Sequence, residues 1–244
     1  MLKAVILAAG MSRRLKPLTD TTPKCLLKTV EKTILGRTLD NLLANGITEL
    51  VMVTGFEEKQ IIEFVTTNYS SIHCTFITNP VYDHTHNSYS LWLTKEQLKG
   101  HRMLLLDSDI VFEPQIIEKL LQSGHDNCLA MNTYHSLGEE EIKVLLDPTH
   151  RVLAISKQVN PSQAAGESIG IELFSETGVE KLFTVLERRM LYEKYVNEFY
   201  EASFEEMVQN GFNIFAIDIR PYKSMEIDTA EDLKTVIETI IPHI

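Results

Sequence analysis

The chain predicts an α/β fold, a mixed, mainly parallel sheet flanked by helices, and three observations carry that expectation. Short unbroken apolar runs alternate with amphipathic segments through the first half, as in strands covered on both faces and joined by helices. Two of those runs end in residues suited to ligand binding, "VILAAG" in small residues and "MLLLDSD" in acids, and open α/β sheets bind ligands at the carboxyl ends of their strands. From about residue 127 the rhythm changes to consecutive strands, which makes the sheet mixed.

In order, "KAVILA" is the first strand. Leu35, Leu39, Leu42 and Leu43 share a helix face that Gly46 terminates. "ELVMVTG" is a strand, Ile61, Ile62 and Val65 mark a helix, and "CTFIT" is the third strand. Asn87 or Ser88 caps a helix carrying Leu91, Trp92 and Leu93 before the acid-tipped strand "MLLLDSD". The second half holds strands at "NCLAMNTY", "IKVLLD", "RVLAISK" and "SIGIELF", the middle two joined by the turn "DPTHR". Val179, Leu182, Phe183, Leu186 and Met190 form the stripe of a long helix. "SFEEMVQNG" is a shorter helix, "FNIFAIDI" a strand, and "TAEDLKTVIETII" a last helix capped by Thr229 or Asp228. No repeat or linker interrupts this order, so residues 1–244 read as a single domain whose halves, 1–126 and 127–244, share one sheet.

Composition narrows the function. Of 244 residues 44% are hydrophobic, enough for one sizeable core. The formal net charge of −11 repels polyanions and argues against nucleic acid as a partner, but not against a small anion in a local basic pocket. Cys25, Cys74 and Cys128 are odd in number, lack a CxxC and are expected to be reduced. Met1 runs straight into a strand, and no apolar stretch is long enough for a bilayer, so a cytoplasmic location without membrane contact is expected.

Against this acidic background the loop after the first strand is basic, with Arg13, Arg14, Lys16 and Lys24. Ala8, Ala9 and Gly10 leave room for close backbone approach to a base edge or phosphate, while arginine forks phosphate oxygens and lysine acts as a point charge. The loop is neither GxxxxGK[ST] nor GxGxxG. Asp107 and Asp109, two apart on a strand end, share a face and repel unless a cation sits beside them; Mg²⁺, which takes oxygen ligands, suits them, though an Asx turn or helix cap before Pro114 also fits. Glu226 and Asp228 lie in a second strand-to-helix turn.

Leu7-Ala8-Ala9-Gly10, Arg14, Pro17-Leu18-Thr19 and Pro23-Lys24-Cys25-Leu26 together resemble the signature of the nucleoside-triphosphate transferase family, the sugar nucleotidyltransferases and their relatives. The resemblance implies a Rossmann-like sheet of the nucleotide-diphospho-sugar transferase type, a nucleotide-binding first half and an acceptor-binding second half. It implies catalytic roles for Arg14 and Lys24, nucleotide contacts from Leu7, Ala8, Ala9, Gly10, Asn87, Ser88 and Asp107, and Mg²⁺ on Asp109 and Asp228. "NPVYDHTHNSYSLWL" looks like the short bacterial cytidylyltransferases acting on phosphocholine or 2-aminoethylphosphonate, which favours CTP. His84 and His86 read as solvated rather than metal-bound. The resemblance puts Lys157, Gly170, Glu172 and Glu226 on the acceptor side, with Glu167 as an alternative to Glu172, whereas Glu201 reads as a helix-surface acid.

One segment departs from a choline enzyme: "GEEEIKVLL" is acidic where aromatic rings would meet a quaternary ammonium. The resulting expectation is a cytidylyltransferase joining CTP to a small phosphorylated or phosphonate acceptor with release of pyrophosphate. The alternatives are a sugar-1-phosphate nucleotidyltransferase using UTP or dTTP, a metal-dependent DxD glycosyltransferase, and a nucleotide sensor without turnover. Oligomeric state is left open.

Overall fold

The computed structural model describes residues 1–133 and 137–243. Its first half runs β1 (Leu2–Ala8), a small ribbon of β2 (Lys28–Thr29) and β3 (Lys32–Thr33), α1 (Ile34–Ala44), β4 (Glu49–Thr54), α2 (Glu58–Asn68), β5 (His73–Thr78), α3 (Asn87–Leu93), α4 (Lys95–Leu98), β6 (Arg102–Asp107), β7 (Ile110–Phe112) and α5 (Gln115–Leu121). The second half runs β8 (Cys128–Asn132), β9 (Lys143–Leu146), β10 (Val152–Ser156), β11 (Gly166–Phe174), α6 (Glu176–Arg188), α7 (Glu201–Gln209), β12 (Phe215–Asp218), β13 (Ser224–Glu226) and α8 (Ala230–Thr239).

Nine strands form one sheet in the order β10-β9-β11-β6-β1-β4-β5, with β8 branching from β11 and carrying β12. The β6-β1-β4-β5 stretch is parallel; β11 then runs antiparallel to β6, β8 and β9. The unbroken apolar runs follow from burial on both faces. Ala4, Ile6 and Ala8 of β1 join a core under α1, α2 and α5, while Val5 and Leu7 join a second core under α3, α6 and α7. Leu50 and Met52 of β4, and Leu104 and Leu106 of β6, extend the first; Val51, Val53, Met103 and Leu105 extend the second.

The helix stripes lie as expected. Leu35, Leu39 and Leu42 are buried on α1, which ends with Gly46 at φ +70, and the Val179-to-Met190 stripe is buried on α6 and the π turn after it. The "DPTHR" turn joins antiparallel β9 and β10. Tyr134 of the "NCLAMNTY" strand lies outside the described residues.

Two expectations change and one is narrowed. α3 is capped at His86, and neither Asn87 nor Ser88 serves as its cap. α8 is capped by Thr229, whose hydroxyl accepts from Asp232 N–H while Asp232 reaches back to Thr229 N–H, so Asp228 is not the cap. The strand holding Asp107 ends there, and Asp109 sits beyond a turn at Ser108, so the two acids do not share a strand face.

Parallel register aligns the strand ends that matter. Leu7 pairs with Asp107, and Ala8 with Thr54, so the "LAAG" turn and the acid-tipped strand emerge at the same edge. The small antiparallel ribbon of β7 and β13 pairs Ile110 with Glu226, and Ile227 N–H donates to Asp109 C=O at 3.0 Å. That pairing carries the late acids to the early one.

Candidate active site

A cleft of about 660 Å³ opens over these strand ends, lined along one wall by Leu7, Ala8, Ala9, Gly10, Arg14 and Lys24. Leu15, 2% exposed, packs with Ile34, Val111, Ile227 and Val236 and pins the basic loop. Its neighbour Arg14 consequently faces the cleft, with Nη2 2.6 Å from Asp228 Oδ2. Arg13 is exposed and lies off the cleft. Lys24 sits on a single 3-10 turn whose next residue, Cys25, is buried in the main core; the Lys24 side chain is itself only 7% exposed.

The Lys24 ammonium donates to Asp109 Oδ2 at 2.8 Å and to Asp228 Oδ1 at 2.7 Å. Burial acts to discharge Lys24, but the pull of Asp109 and then of Asp228 outweighs it and holds the ammonium above the usual lysine range. Burial likewise works against the Asp228 carboxylate; Lys24 and then Arg14 prevail and lower it. Glu226, expected on the acceptor side, lies with these two: oxygens of Asp109, Glu226 and Asp228 fall within 4.8 Å of one another. Glu226 is exposed at the cleft, but desolvation of its carboxyl there and then repulsion from Asp109 and Asp228 raise it above the usual carboxylate range. Three hard oxygen donors that close fit a hard divalent ion such as Mg²⁺.

Asp107 turns away from this group. Its Oδ2 accepts from the Tyr200 hydroxyl at 3.0 Å, deep against Gly170, where a Cβ would come 2.6 Å from that same oxygen. Burial, then the nearby carboxylates of Asp109, Glu201 and Glu172, raise Asp107 well above the carboxylate range. Tyr200 also donates its N–H to Asn87 Oδ1 at 3.1 Å, so one buried residue ties the start of α3 to the end of β6.

Asn87 lines the cleft. Ser88 does not: it is fully buried, and Ser90 reaches the cleft in its place, taking a hydrogen bond from Asn79 Nδ2 at 3.1 Å. At the far end, Lys157 and Gly170 line the cleft as expected, whereas Glu172 is fully buried beneath the floor and accepts from Ser168 Oγ. Glu167 and Glu201 occupy the lining instead. Glu201 is no surface acid: it is 5% exposed, its Oε2 has no hydrogen-bond partner among the described residues, and burial pushes it up to about 7. Nor does the acidic "GEEEIKVLL" segment leave this end without rings. Phe199, unmarked by any periodicity because it precedes α7 in irregular chain, packs against His86 with ring centroids 4.0 Å apart and planes tilted by 56°, and its ring lies 4.6 Å from the Lys157 ammonium. Lys157 also pairs with Glu140 at 3.1 Å. His86 thus lines the cleft, while His84 is exposed beside Asp83.

A three-layer sheet with cations and carboxylates converging at its strand ends defines a class, the nucleotidyltransferases. Residues 4–157 match the family described as the MobA-like NTP transferase domain. The chain belongs to that family. It is 22% identical over 243 residues to the choline-phosphate cytidylyltransferase of Streptococcus pneumoniae, covering 98% of each chain. The solved structure of the pneumococcal CTP:phosphocholine cytidylyltransferase superimposes with a TM-score of 0.81 at 21% identity, covering 97% of this chain and 98% of that one. The 2-aminoethylphosphonate cytidylyltransferase of Lancefieldella rimae is 21% identical over 92% of this chain and 86% of its own. The inositol-1-phosphate CTP transferase of T. maritima superimposes with a TM-score of 0.83 at 19% identity, covering 97% of this chain and 93% of that one. Among the described residues no helix is long and apolar enough to cross a membrane.

Proposed function

We propose that the protein is a Mg²⁺-dependent cytidylyltransferase that joins CTP to a small phosphate or phosphonate acceptor and releases pyrophosphate. The observation that carries this reading is the convergence of Lys24 and Arg14 on Asp109 and Asp228 at the mouth of the "LAAG" turn. Carboxylates outnumber cations along the cleft, with Arg14, Lys24 and Lys157 set against Asp107, Asp109, Glu140, Glu141, Glu167, Glu201, Glu226 and Asp228. A triphosphate is repelled by such a lining unless it brings a divalent ion. Relatives named as cytidylyltransferases support CTP over other nucleotides.

In this reading the base and ribose lie along Leu7, Ala8, Ala9, Gly10 and Asn87, with Asp107 held beside them by Tyr200. Lys24 holds the α-phosphate and Arg14 the departing pyrophosphate. Asp109, Asp228 and Glu226 would hold the metal, which would supply neutralisation of phosphate charge. Gly170 and Lys157 border the acceptor, with Glu201 and Phe199 at its far end. An acceptor oxygen, already anionic at neutral pH, attacks the α-phosphorus. The new P–O bond forms as the bond to the β-phosphate bridging oxygen breaks, and that oxygen leaves with the electron pair. No strong base is needed, so alignment and charge neutralisation carry the catalysis.

The test is a pyrophosphate-release screen crossing the four nucleoside triphosphates with phosphocholine, 2-aminoethylphosphonate, inositol phosphate and sugar 1-phosphates, with and without Mg²⁺. Pyrophosphate from CTP and one of the small acceptors, only with Mg²⁺, is expected. Free nucleoside diphosphate from a nucleotide sugar instead would point to a glycosyltransferase.

A further inference from the structure

We infer that Lys24 is the resident counter-cation of the Asp109–Glu226–Asp228 cluster, and that the cluster takes up a divalent ion only when a phosphate group draws the Lys24 ammonium off it. The inference rests on the metal-nucleotide reading above and adds an order to it: ion and nucleotide arrive together, and Lys24 changes partners as they do.

Both oxygens of Asp228 are already engaged, Oδ1 by Lys24 at 2.7 Å and Oδ2 by Arg14 at 2.6 Å, and Asp109 Oδ2 is engaged by Lys24 at 2.8 Å. An ion drawn to both aspartates therefore competes with Lys24 for the oxygens it already holds.

Lys24 cannot simply be pushed aside. Its side chain is 7% exposed, and Asp109 and Asp228 are its hydrogen-bond acceptors among the described residues. A buried ammonium stripped of both partners is strongly unfavourable, so displacement by a bare ion is opposed by the protein itself. A phosphate at the "LAAG" turn removes that opposition by supplying a new anionic partner. Arg14 differs: at 64% side-chain exposure it can release Asp228 into solvent at little cost. By reciprocity, whatever the nucleotide adds to metal affinity the metal adds to nucleotide affinity.

The test uses the full chain without nucleotide and Mn²⁺ as probe, read by loss of the free-ion electron paramagnetic resonance signal. Lys24→Met keeps the aliphatic stem but removes the charge, and should bind Mn²⁺ about tenfold more tightly than wild type, within the usual range of coupling free energies. Arg14→Met, which removes an exposed and easily released partner, should stay close to wild type; Lys24→Gln, which keeps a hydrogen-bond donor but no charge, keeps the test decisive if Lys24→Met fails to fold. Adding Asp228→Asn to Lys24→Met should abolish the gain. Equal Mn²⁺ affinity in wild type and the folded Lys24 variants, a gain in Arg14→Met as large as theirs, or a gain that survives Asp228→Asn, would overturn the inference. The pyrophosphate screen on wild type decides the nucleotidyl-transfer reading separately, because the Mn²⁺ titration involves no turnover.

Discussion

The Lys24 ammonium lies 2.8 Å from Asp109 Oδ2 although 85 positions separate the two in the chain. A turn after the first strand and a turn after the sixth are joined by an ion pair that also includes Asp228, 204 positions from Lys24. If this group aligns and neutralises a triphosphate, Lys24→Ala and Asp109→Ala should each lower turnover by about 10²–10³-fold, as loss of other preorganised charge contacts does. Circular dichroism should show the fold retained. Steady-state pyrophosphate release checks the first outcome, and near-normal activity in either variant would count against the assigned roles.

Arg14 is held in place by its neighbour. Leu15 is 2% exposed in the small core with Ile34, Val111, Ile227 and Val236. Leu15→Ala should cost about 2–5 kcal/mol of stability, as core truncations do. It should also raise KM for the nucleotide, because Arg14 loses its aim. Urea unfolding alongside nucleotide kinetics checks both, and Arg14→Ala should reproduce the kinetic effect with stability unchanged.

Gly170 adopts φ +71, and a Cβ there would meet Asp107 Oδ2 at 2.6 Å. That carboxylate is fixed by Tyr200 and cannot yield freely. Gly170→Ala should therefore destabilise the protein by at least ~1–2 kcal/mol from backbone conformation alone. It should also reduce kcat by displacing Asp107. Denaturant unfolding and single-turnover kinetics measure the two effects apart.

Glu201 supplies a pH signature. Burial pushes its carboxyl up to about 7, above the unfolded value near 4.3. Between those values the folded state binds the proton that the unfolded state has lost, so stability contributed by this group falls as pH rises towards 7 and then levels. Wild type should melt at a lower temperature at pH 8 than at pH 5.5, and Glu201→Gln should narrow that difference, with Glu226 and Asp107, also raised, keeping the remainder. Melting curves followed by circular dichroism at the two pH values decide it.

Much of this was readable from residues, and the rest was not for definite reasons. Strands β1, β4 and β6 announced themselves because burial on both faces demands unbroken apolar runs, and α6 because its stripe repeats over more than three turns. The "LAAG", Arg14 and Lys24 positions line one wall, as the motif implied. The β7–β13 ribbon, with three residues per strand, is too short for any period to register. It is nonetheless what brings Glu226 and Asp228 to Asp109. Asp107 and Asp109 were expected on one face because strand alternation was extended past the point where Ser108 turns the chain. Ser88 and Ser90 lie on different sides of α3, and only the packing of that helix shows that Ser90 is the one facing the cleft. Glu201 and Phe199 were hidden because burial of an acid and exposure of a ring both run against the usual hydrophobic ordering. The available signal was an acid beside two rings at a helix start, "FYE".

The most direct measurement is a crystal structure with a non-hydrolysable CTP analogue and Mn²⁺, with anomalous data collected at the manganese edge. The account predicts one anomalous peak among Asp109, Glu226 and Asp228, with the Lys24 ammonium moved from the aspartates to the α-phosphate. A nucleotide bound elsewhere, a manganese peak remote from these three carboxylates, or Lys24 still on Asp109 and Asp228 beside a bound triphosphate would contradict it.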